Sequence, residues 1–509
     1  MATVLFTVPL LATPAGSRNG GISWWTQVLE LTASSLTIEA NGLTFDPSGQ
    51  DVLVSSDPGR PTTGSSWIIY EGTLLAGRID RPFMGELHLE RPAKGARLDI
   101  TGVTLSVSPR SWHSREAWFQ YGADPGRTGE APRSMLTPAT APRLHLVWSR
   151  ALGSNKGGGK LGDLPAGLVV ANHTVFASGR DGLYALGMRS GGTRWRLWGG
   201  ALRRGIGSGE LAARNGVLYV TAADPLRVVV VDAAAGRVLW KRIGSTELDR
   251  STAVGAPVLF GRRLFVSSRD LELQSARPGQ TVSIGLPARV IRWARDRGVI
   301  VSSAAARVGI ATTSEGAVRV LDPADGSVVW SRWLGRWLTA PAIRNGTVYI
   351  AKAGGLRGNY AIALDADSGR ERWRTQMGMW SNPSRSPAVG SSKVFVSWQD
   401  FEGLGGGLAA FDRDTGRRLW NAQIRGYPTA PVLTNGVVVV GVTKAVPVPG
   451  CECAEIGRHG RVMAFRAQTG ALLWKGRADG VFVARPVIAG RTVLAVSRGG
   501  TVYAFRTGA

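Results

Sequence analysis

The sequence predicts an all-β protein. Its fold class is an eight-bladed β-propeller of four-stranded antiparallel blades, closed by its own N- and C-terminal strands, with a small N-terminal β-sandwich-like domain in front. Three observations carry that expectation. One short sentence, A-x-D-x-x-S/T-G-x-x-x-W, recurs in seven segments. Eight tryptophans, Trp148, Trp195, Trp240, Trp293, Trp330, Trp373, Trp420 and Trp474, follow one another at intervals of 47, 45, 53, 37, 43, 47 and 54 residues. Long amphipathic helical patterns are absent, while Gly supplies 68 of 509 residues. A repeat of this length is that of propeller blades.

The clearest copies run from Ala363 through Asp365, Ser368 and Gly369 to Trp373, and from Ala410 through Asp412, Thr415 and Gly416 to Trp420. Weaker copies end at Trp195, Trp240, Trp330 and Trp474, and the last stops at Gly508. Trp293 is placed because the 90 residues from Trp240 to Trp330 hold two units. Each copy follows a β-prone run, such as Val228 to Val231 or Tyr360 to Leu364. The Asp carboxylate is expected to accept hydrogen bonds from the amides of a tight turn, and the Gly to supply a positive φ. The strand that resumes carries Trp, an indole large enough to wedge between units.

Upstream, a short strand opens at proline: Pro257, Pro341, Pro387, Pro431 and Pro486. Proline is tolerated there because no ladder donor is needed. Asn345-Gly346 and Asn435-Gly436 between apolar runs signal hairpins. One unit is therefore proline-strand, hairpin, strand, strand, Asp/Gly turn and Trp-strand. Trp148 ends a strand with no blade before it, and Val481 to Gly508 lacks a Trp-strand. Joining the two completes the eighth blade.

These residues resemble the quinoprotein-type, PQQ-like β-propeller repeat family, whose repeat is this tryptophan-docking sentence. That family includes pyrroloquinoline-quinone (PQQ)-dependent alcohol dehydrogenases and the outer-membrane assembly lipoprotein of the barrel-insertion machinery. The resemblance covers roughly Trp118 to Ala509. It includes the lead-in from Trp118 through Tyr121, Asp124 and Arg127 to Gly129, which looks like the segment before the first blade in many members. The motif is specific for fold and not for function, because enzymes and scaffolds share it.

Residues 118–509 are thus expected to form the propeller. Residues 1–117 do not fit the repeat. Short strands at 22–29, 35–39, 67–70, 86–90 and 97–106, punctuated by Gly, Pro and Asp, predict a β-rich domain, a small sandwich. Trp24 or Trp25 could bind glycan there, though core packing is the commoner use of such residues. No stretch is long enough to span a membrane. The apolar run Val4 to Ala12 has no basic residue before it and makes a poor signal peptide. The resemblance favours an extracytoplasmic location: periplasmic, cell-surface or secreted.

Formal net charge is +25, which suits a polyanionic partner. Only eight of the 61 basic residues are lysine, none lies in a run of five, and no nucleic-acid motif accompanies them. Sequence-specific nucleic-acid binding is not expected.

A PQQ-dependent dehydrogenase of the family carries calcium held by acidic and amide side chains, a general-base aspartate and two adjacent cysteines. In this chain the cysteines are Cys451 and Cys453, separated by Glu452, and no C-x-x-C-H is present. No positions match the calcium ligands. Neither catalytic nor metal residues are assigned, and no cofactor is expected. PQQ with calcium belongs only to the alternative, a quinone-dependent alcohol or sugar dehydrogenase with an atypical site. Cys451 and Cys453 lie in a loop insertion of the seventh blade. A strained disulfide, two free thiols, and a metal site with His459 that lacks a full ligand set stay open.

One constellation follows from the topology. Loops leading into the innermost strands reach one mouth of the central channel, and here they carry Arg250, Arg336, Arg385, Arg425 and Arg485. Converging on the axis, they would focus positive potential in a funnel. Trp337, Trp380 and Tyr427 stand nearby and could stack on a planar ligand. The expected function is a non-catalytic binding scaffold, a monomer presenting loops and this funnel to a protein partner or an anionic ligand, with peripheral cell-envelope contact.

Overall fold

The computed structural model describes strands within residues 36–107 and, apart from stretches of which the longest are 154–166, 199–210, 244–252 and 270–279, residues 118–508. Two compact units emerge: Met1–Trp112 with Gly285–Val290, and His113–Ile284 with Ile291–Ala509.

In the first unit, Leu36–Ile38, Asp51–Ser55, Ser66–Ala76, Ile79–Leu89 and Val103–Val107 form one five-stranded sheet, in the order first, fifth, fourth, third, second. All its pairs are antiparallel. The strand expected at 22–29 lies outside the described residues.

The second unit is the predicted ring of eight sheets. Blade 1 runs through Leu168–Ala171, Thr174–Gly179, Gly182–Gly187 and Thr193–Trp198. Blades 2 to 7 end on Val238–Ile243, Val290–Asp296, Val328–Trp333, Glu371–Gln376, Arg418–Arg425 and Leu472–Asp479. Trp293 stands on the outer strand of blade 3, as the spacing required. Blade 8 consists of Val487–Ala489, Thr492–Val496, Thr501–Thr507 and, as its outer strand, Leu144–Ala151 from the other end of the chain. Ala504 pairs with Trp148 in that closure.

The same pairing recurs round the ring: Trp195 faces Ala185, Trp373 faces Ala363, Trp420 faces Ala410 and Trp474 faces Ala464. The alanine that opens the motif is thus the small residue directly opposite the indole. A β-bulge follows at once in each of these ladders, adding one residue to the outer strand.

Among the described residues, five indoles join their blade to the next. The Nε1 of Trp148, Trp195, Trp330, Trp373 and Trp420 donates to the carbonyls of Met188, Ala233, Ala366, Arg413 and Ala467, at 2.8–3.1 Å. These carbonyls belong to the next blade's turn. The motif glycine there has two duties. Gly416 has φ +72°, and a Cβ added to it would stand 2.5 Å from the ring of Trp373. Within the turn, Asp412 Oδ1 accepts from the amides of Asp414 and Thr415 at 3.1 and 2.9 Å and from the Thr415 hydroxyl at 2.8 Å. Asp365 repeats this with Asp367 and Ser368 and adds Arg372, at 2.7 Å.

The hairpins follow the sequence as well. Asn345 and Gly346 have φ of 47° and 68°, and Asn435 and Gly436 of 31° and 81°. Both pairs have the left-handed values that type I′ turns require. Asn172-His173 forms the corresponding turn of blade 1, at 48° and 56°.

Candidate functional site

The centre of the ring is organised by the segment before the first blade. Residues 118–135 form a strap that bonds to the innermost strand of every blade, in order. Trp118 exchanges two backbone bonds with Val170 of blade 1, both 2.8 Å. Phe119 O accepts from Ala213 of blade 2, and Gln120 Oε1 from Leu259 of blade 3. The carbonyls of Pro125, Gly126, Thr128 and Gly129 accept from Ala305, Ile343, Val389 and Leu433 of blades 4 to 7, at 2.7–2.8 Å. Met135 N and Ser134 Oγ then donate to Gly490 O of blade 8, at 2.9 and 2.8 Å. Most of these contacts fall beside the hairpin turns of the innermost strands, so the strap closes the mouth on that face.

The local sequence suits such a path. Gly122, Ala123, Arg127 and Gly129 all have positive φ, so the segment coils and leaves its carbonyls free for the blades. Asp124 pins the coil by accepting from the amide of Thr128, at 3.2 Å, and from its hydroxyl. Burial holds the Asp124 carboxyl above its ordinary value, opposed by the Thr128 bonds and the positive field of Arg344 and Arg485. Glu130 pairs with Arg344, which also donates to Val389 O at 3.0 Å.

Above the strap stands a cluster that belongs on the axis, because its members tie blades from different sides. Arg127 Nη2 reaches Ala256 O, between the two inner segments of blade 3, at 2.7 Å. Arg485, from the loop into blade 8, donates to Ser386 O and Pro387 O of blade 6, at 3.0 and 2.9 Å, and to Arg127 O, at 3.4 Å. Both guanidiniums lie over the Tyr121 ring, 5.2 and 5.4 Å from its centroid. Arg485 is 4% exposed. Burial pulls the Arg385 guanidinium below its ordinary value, with Tyr121 acting in the opposite direction. Arg485 is lowered by the same cause, opposed by Tyr121 and Asp124.

The predicted site residues therefore divide. Arg485 lies over Tyr121, and Arg385 is acted on by the same group. Both sit where the innermost strand is interrupted: Asn382–Pro383 and Ala388–Val389 flank Arg385, while the Phe482 bridge and Val487–Ala489 flank Arg485. The proline within each interruption, Pro387 or Pro486, has no N–H to pair. Arg336, five residues before its proline, is exposed, and so is Trp337, at 72%. Trp337 has φ +59°, an uncommon conformation for so large a residue. Arg425 is exposed and lines a cleft of about 990 Å³ between blades 6 and 7, with Trp398, Asp400, Lys444 and Arg461. Tyr427 is half-buried, its hydroxyl pushed up by burial and by Asp400. Arg250, Trp380, Cys451 and Cys453 lie outside the described residues. The sequence reading missed Tyr121, Asp124 and Arg127 as parts of the centre. The available signal was the density of Gly, Asp and Pro between Gly122 and Gly129, which denotes consecutive turns.

Strap, ring and joints together define an eight-bladed propeller built on the quinoprotein-type repeat. A family model described as outer membrane protein assembly factor BamB matches residues 180–277, 314–447 and 406–508, more than half of the chain. The chain belongs to this family. It is 24% identical over 270 residues to tetrathionate hydrolase of Acidithiobacillus ferrooxidans, an alignment covering 51% of this chain and 46% of that protein. It thus spans less than half of that relative's length. Over 404 residues it is 23% identical to outer membrane protein assembly factor BamB of Burkholderia pseudomallei, covering 74% of this chain and 92% of that one. Quinohemoprotein alcohol dehydrogenase ADHIIG of Pseudomonas putida HK5 shares the fold with TM-score 0.58 at 13% identity, over 78% of this chain and 81% of that one. Among the described residues no helix is long and apolar enough to cross a membrane.

Proposed function

We propose that this chain is a non-catalytic scaffold that presents its loops and a basic central funnel to a protein partner or an anionic ligand. The observation that carries the reading is the asymmetry of the channel. One mouth is closed by the strap, the loops leading toward the other carry Arg336, Arg385 and Arg485, and Arg425 ends the outer strand of blade 6. Family membership supports it, since the Burkholderia relative is by name an outer membrane protein assembly factor and aligns over nearly its full length. An extracytoplasmic location goes with this reading.

The test uses the exposed arginines. An Arg336→Gln/Arg425→Gln double variant of the full chain is titrated with fluorescent polyglutamate, with binding read as anisotropy. Affinity is expected to fall about tenfold and to lose part of its salt dependence. An unchanged isotherm removes the rim from the binding face.

A second reading, a quinone-dependent alcohol or sugar dehydrogenase, draws on the fold shared with the Pseudomonas putida enzyme. Among the described residues no three His, Cys, Asp or Glu side chains converge on a metal seat. A calcium seat in this reading draws on amide or carbonyl oxygens beside fewer acidic groups, or on other residues. A stoichiometric quinone absorption band after adding PQQ and calcium, with dye-coupled alcohol oxidation, would favour it.

A further inference from the structure

Three buried hydrogen-bond donors in one place lack acceptors. Among the described residues, the Nε of Arg385, the Nε of Arg485 and the hydroxyl of Ser386 have no hydrogen-bond partner. They are neighbours: Arg385 and Ser386 are consecutive, and Arg485 donates to the carbonyl of Ser386. Ser386 and Arg485 are 3% and 4% exposed. Arg385 is half-buried as a residue, but its Nε is closed off from solvent like the other two donors.

Charge sharpens the imbalance. The guanidiniums of Arg127 and Arg485 lie over Tyr121, which also acts on the charge of Arg385, and the carboxyl of Asp124 is the acid felt by Arg485. That carboxyl is itself held toward its neutral form by burial. An uncompensated cation in a low-dielectric site is costly, and a donor without an acceptor adds the cost of its own desolvation. The surrounding groups offer donors and positive charge. A ligand that answers them carries acceptors and negative charge only.

We infer that the floor of the central channel is a binding site for a small oxyanion, a carboxylate or a tetrahedral phosphate or sulfate, held by Arg385, Ser386 and Arg485 above Tyr121. The planar guanidinium fork matches two oxygens of either anion. The site rests on the reading of the funnel as ligand-binding and narrows it to this ligand class. Arg385 is the ligand-contacting cation. Arg485 contributes its Nε alone, because its Nη groups are committed to the carbonyls of Arg127, Ser386 and Pro387.

The experiment is thermal unfolding of the full chain at constant ionic strength, with chloride replaced by phosphate, sulfate or acetate, alongside native mass spectrometry of the purified protein. At anion concentrations near a hundred times the dissociation constant, Tm is expected to rise by about 2 °C or more. Phosphate and sulfate acting together identify the tetrahedral anion, and acetate acting alone identifies a carboxylate. Arg385→Gln is expected to weaken binding about tenfold or more, and Ser386→Ala to weaken it less. Arg417→Gln, at the exposed outer turn of blade 6, keeps the full shift. An oxyanion that co-purifies with the wild type and is lost in Arg385→Gln supports the site equally. The site is overturned if no anion differs from chloride and none co-purifies, or if Arg385→Gln responds as the wild type does. Loss of the oxyanion shift with polyglutamate binding intact sinks this inference alone, and the reverse result sinks only the scaffold reading.

Discussion

The rim and the centre of the ring are held together in opposite ways. On the rim one joint is used again and again: an indole of one blade lies on the turn glycine of the next and donates to a carbonyl beside it. At the centre the strap is used once, and it makes a different bond to each of eight innermost strands. The rim joint couples nearest neighbours only, as in other repeat arrays. The strap and the Arg127–Arg485 cluster couple blades that never touch. Strength on the rim is the sum of like terms, whereas the centre makes the ring one cooperative object.

The comparison can be broken first at the rim, where the largest effect is expected. Trp373→Ala removes a nearly buried indole together with its hydrogen bond to Arg413 O, and costs about 3–5 kcal/mol of unfolding free energy in urea. Gly416→Ala attacks the same joint from the other side and is expected to approach that value, because both φ and the Trp373 ring oppose a Cβ. Gly346→Ala is the control. Its φ is also positive, at 68°, but nothing lies within 4 Å of the added carbon, so about 1 kcal/mol is expected. Equal costs at the two glycines would show that the indole does not rest on the turn.

At the centre, Thr128→Val removes the hydroxyl that caps Asp124 and is expected to cost about 1–2 kcal/mol. The diagnostic is the slope against denaturant. A joint between neighbours lowers the midpoint at constant slope, whereas loosening the strap lets blades open separately and flattens the transition.

The smallest effect contrasts aspartates. Asp365 is held well below the usual carboxylate range by Arg372 and Ser368, and Asp412 is held down by Thr415. Their contribution is present above the unfolded chain's pKa of about 4 and is lost as pH falls through the folded value. Both are exposed enough that each is worth about 0.5 kcal/mol. Asp124 acts in reverse. Its folded pKa is raised, so the folded state takes up a proton first and gains stability on acidification toward pH 4. Asp365→Asn should reduce the loss of Tm on acidification, and Asp124→Asn should deepen it. Shifts of the same sign in both would contradict these environments.

Much of the rim was legible because its grammar is local. Asp365, Gly369 and Trp373 lie within nine residues, and hairpins such as Asn345-Gly346 are set by their own φ preferences. Even so, the opening alanine of the motif had no explanation until Ala363 was seen opposite Trp373. The arginines were legible only as a set on loops of one face. All five were chosen for lying within seven residues of a strand-opening proline, and the differences inside that window carried the further signal. Arg385 and Arg485, within two residues of Pro387 and Pro486, fall in interruptions of the inner strand, whereas Arg336 and Arg425 stand five and six residues away and remain outside.

The sequence by itself determined the number of blades, their strand order, the turn chemistry and the closure of the eighth blade by the strand of Trp148. Each of these follows from backbone preference and side-chain size repeated at short range. Only the tertiary structure decided that residues 118–135 bind every blade, and that Arg485 is buried over Tyr121 with its guanidinium on the carbonyls of Ser386 and Pro387. Those contacts join residues up to 358 positions apart, and no local preference encodes them. They arise when ring closure brings eight innermost strands around a common axis, where burial strips water from whatever side chains the chain has placed there.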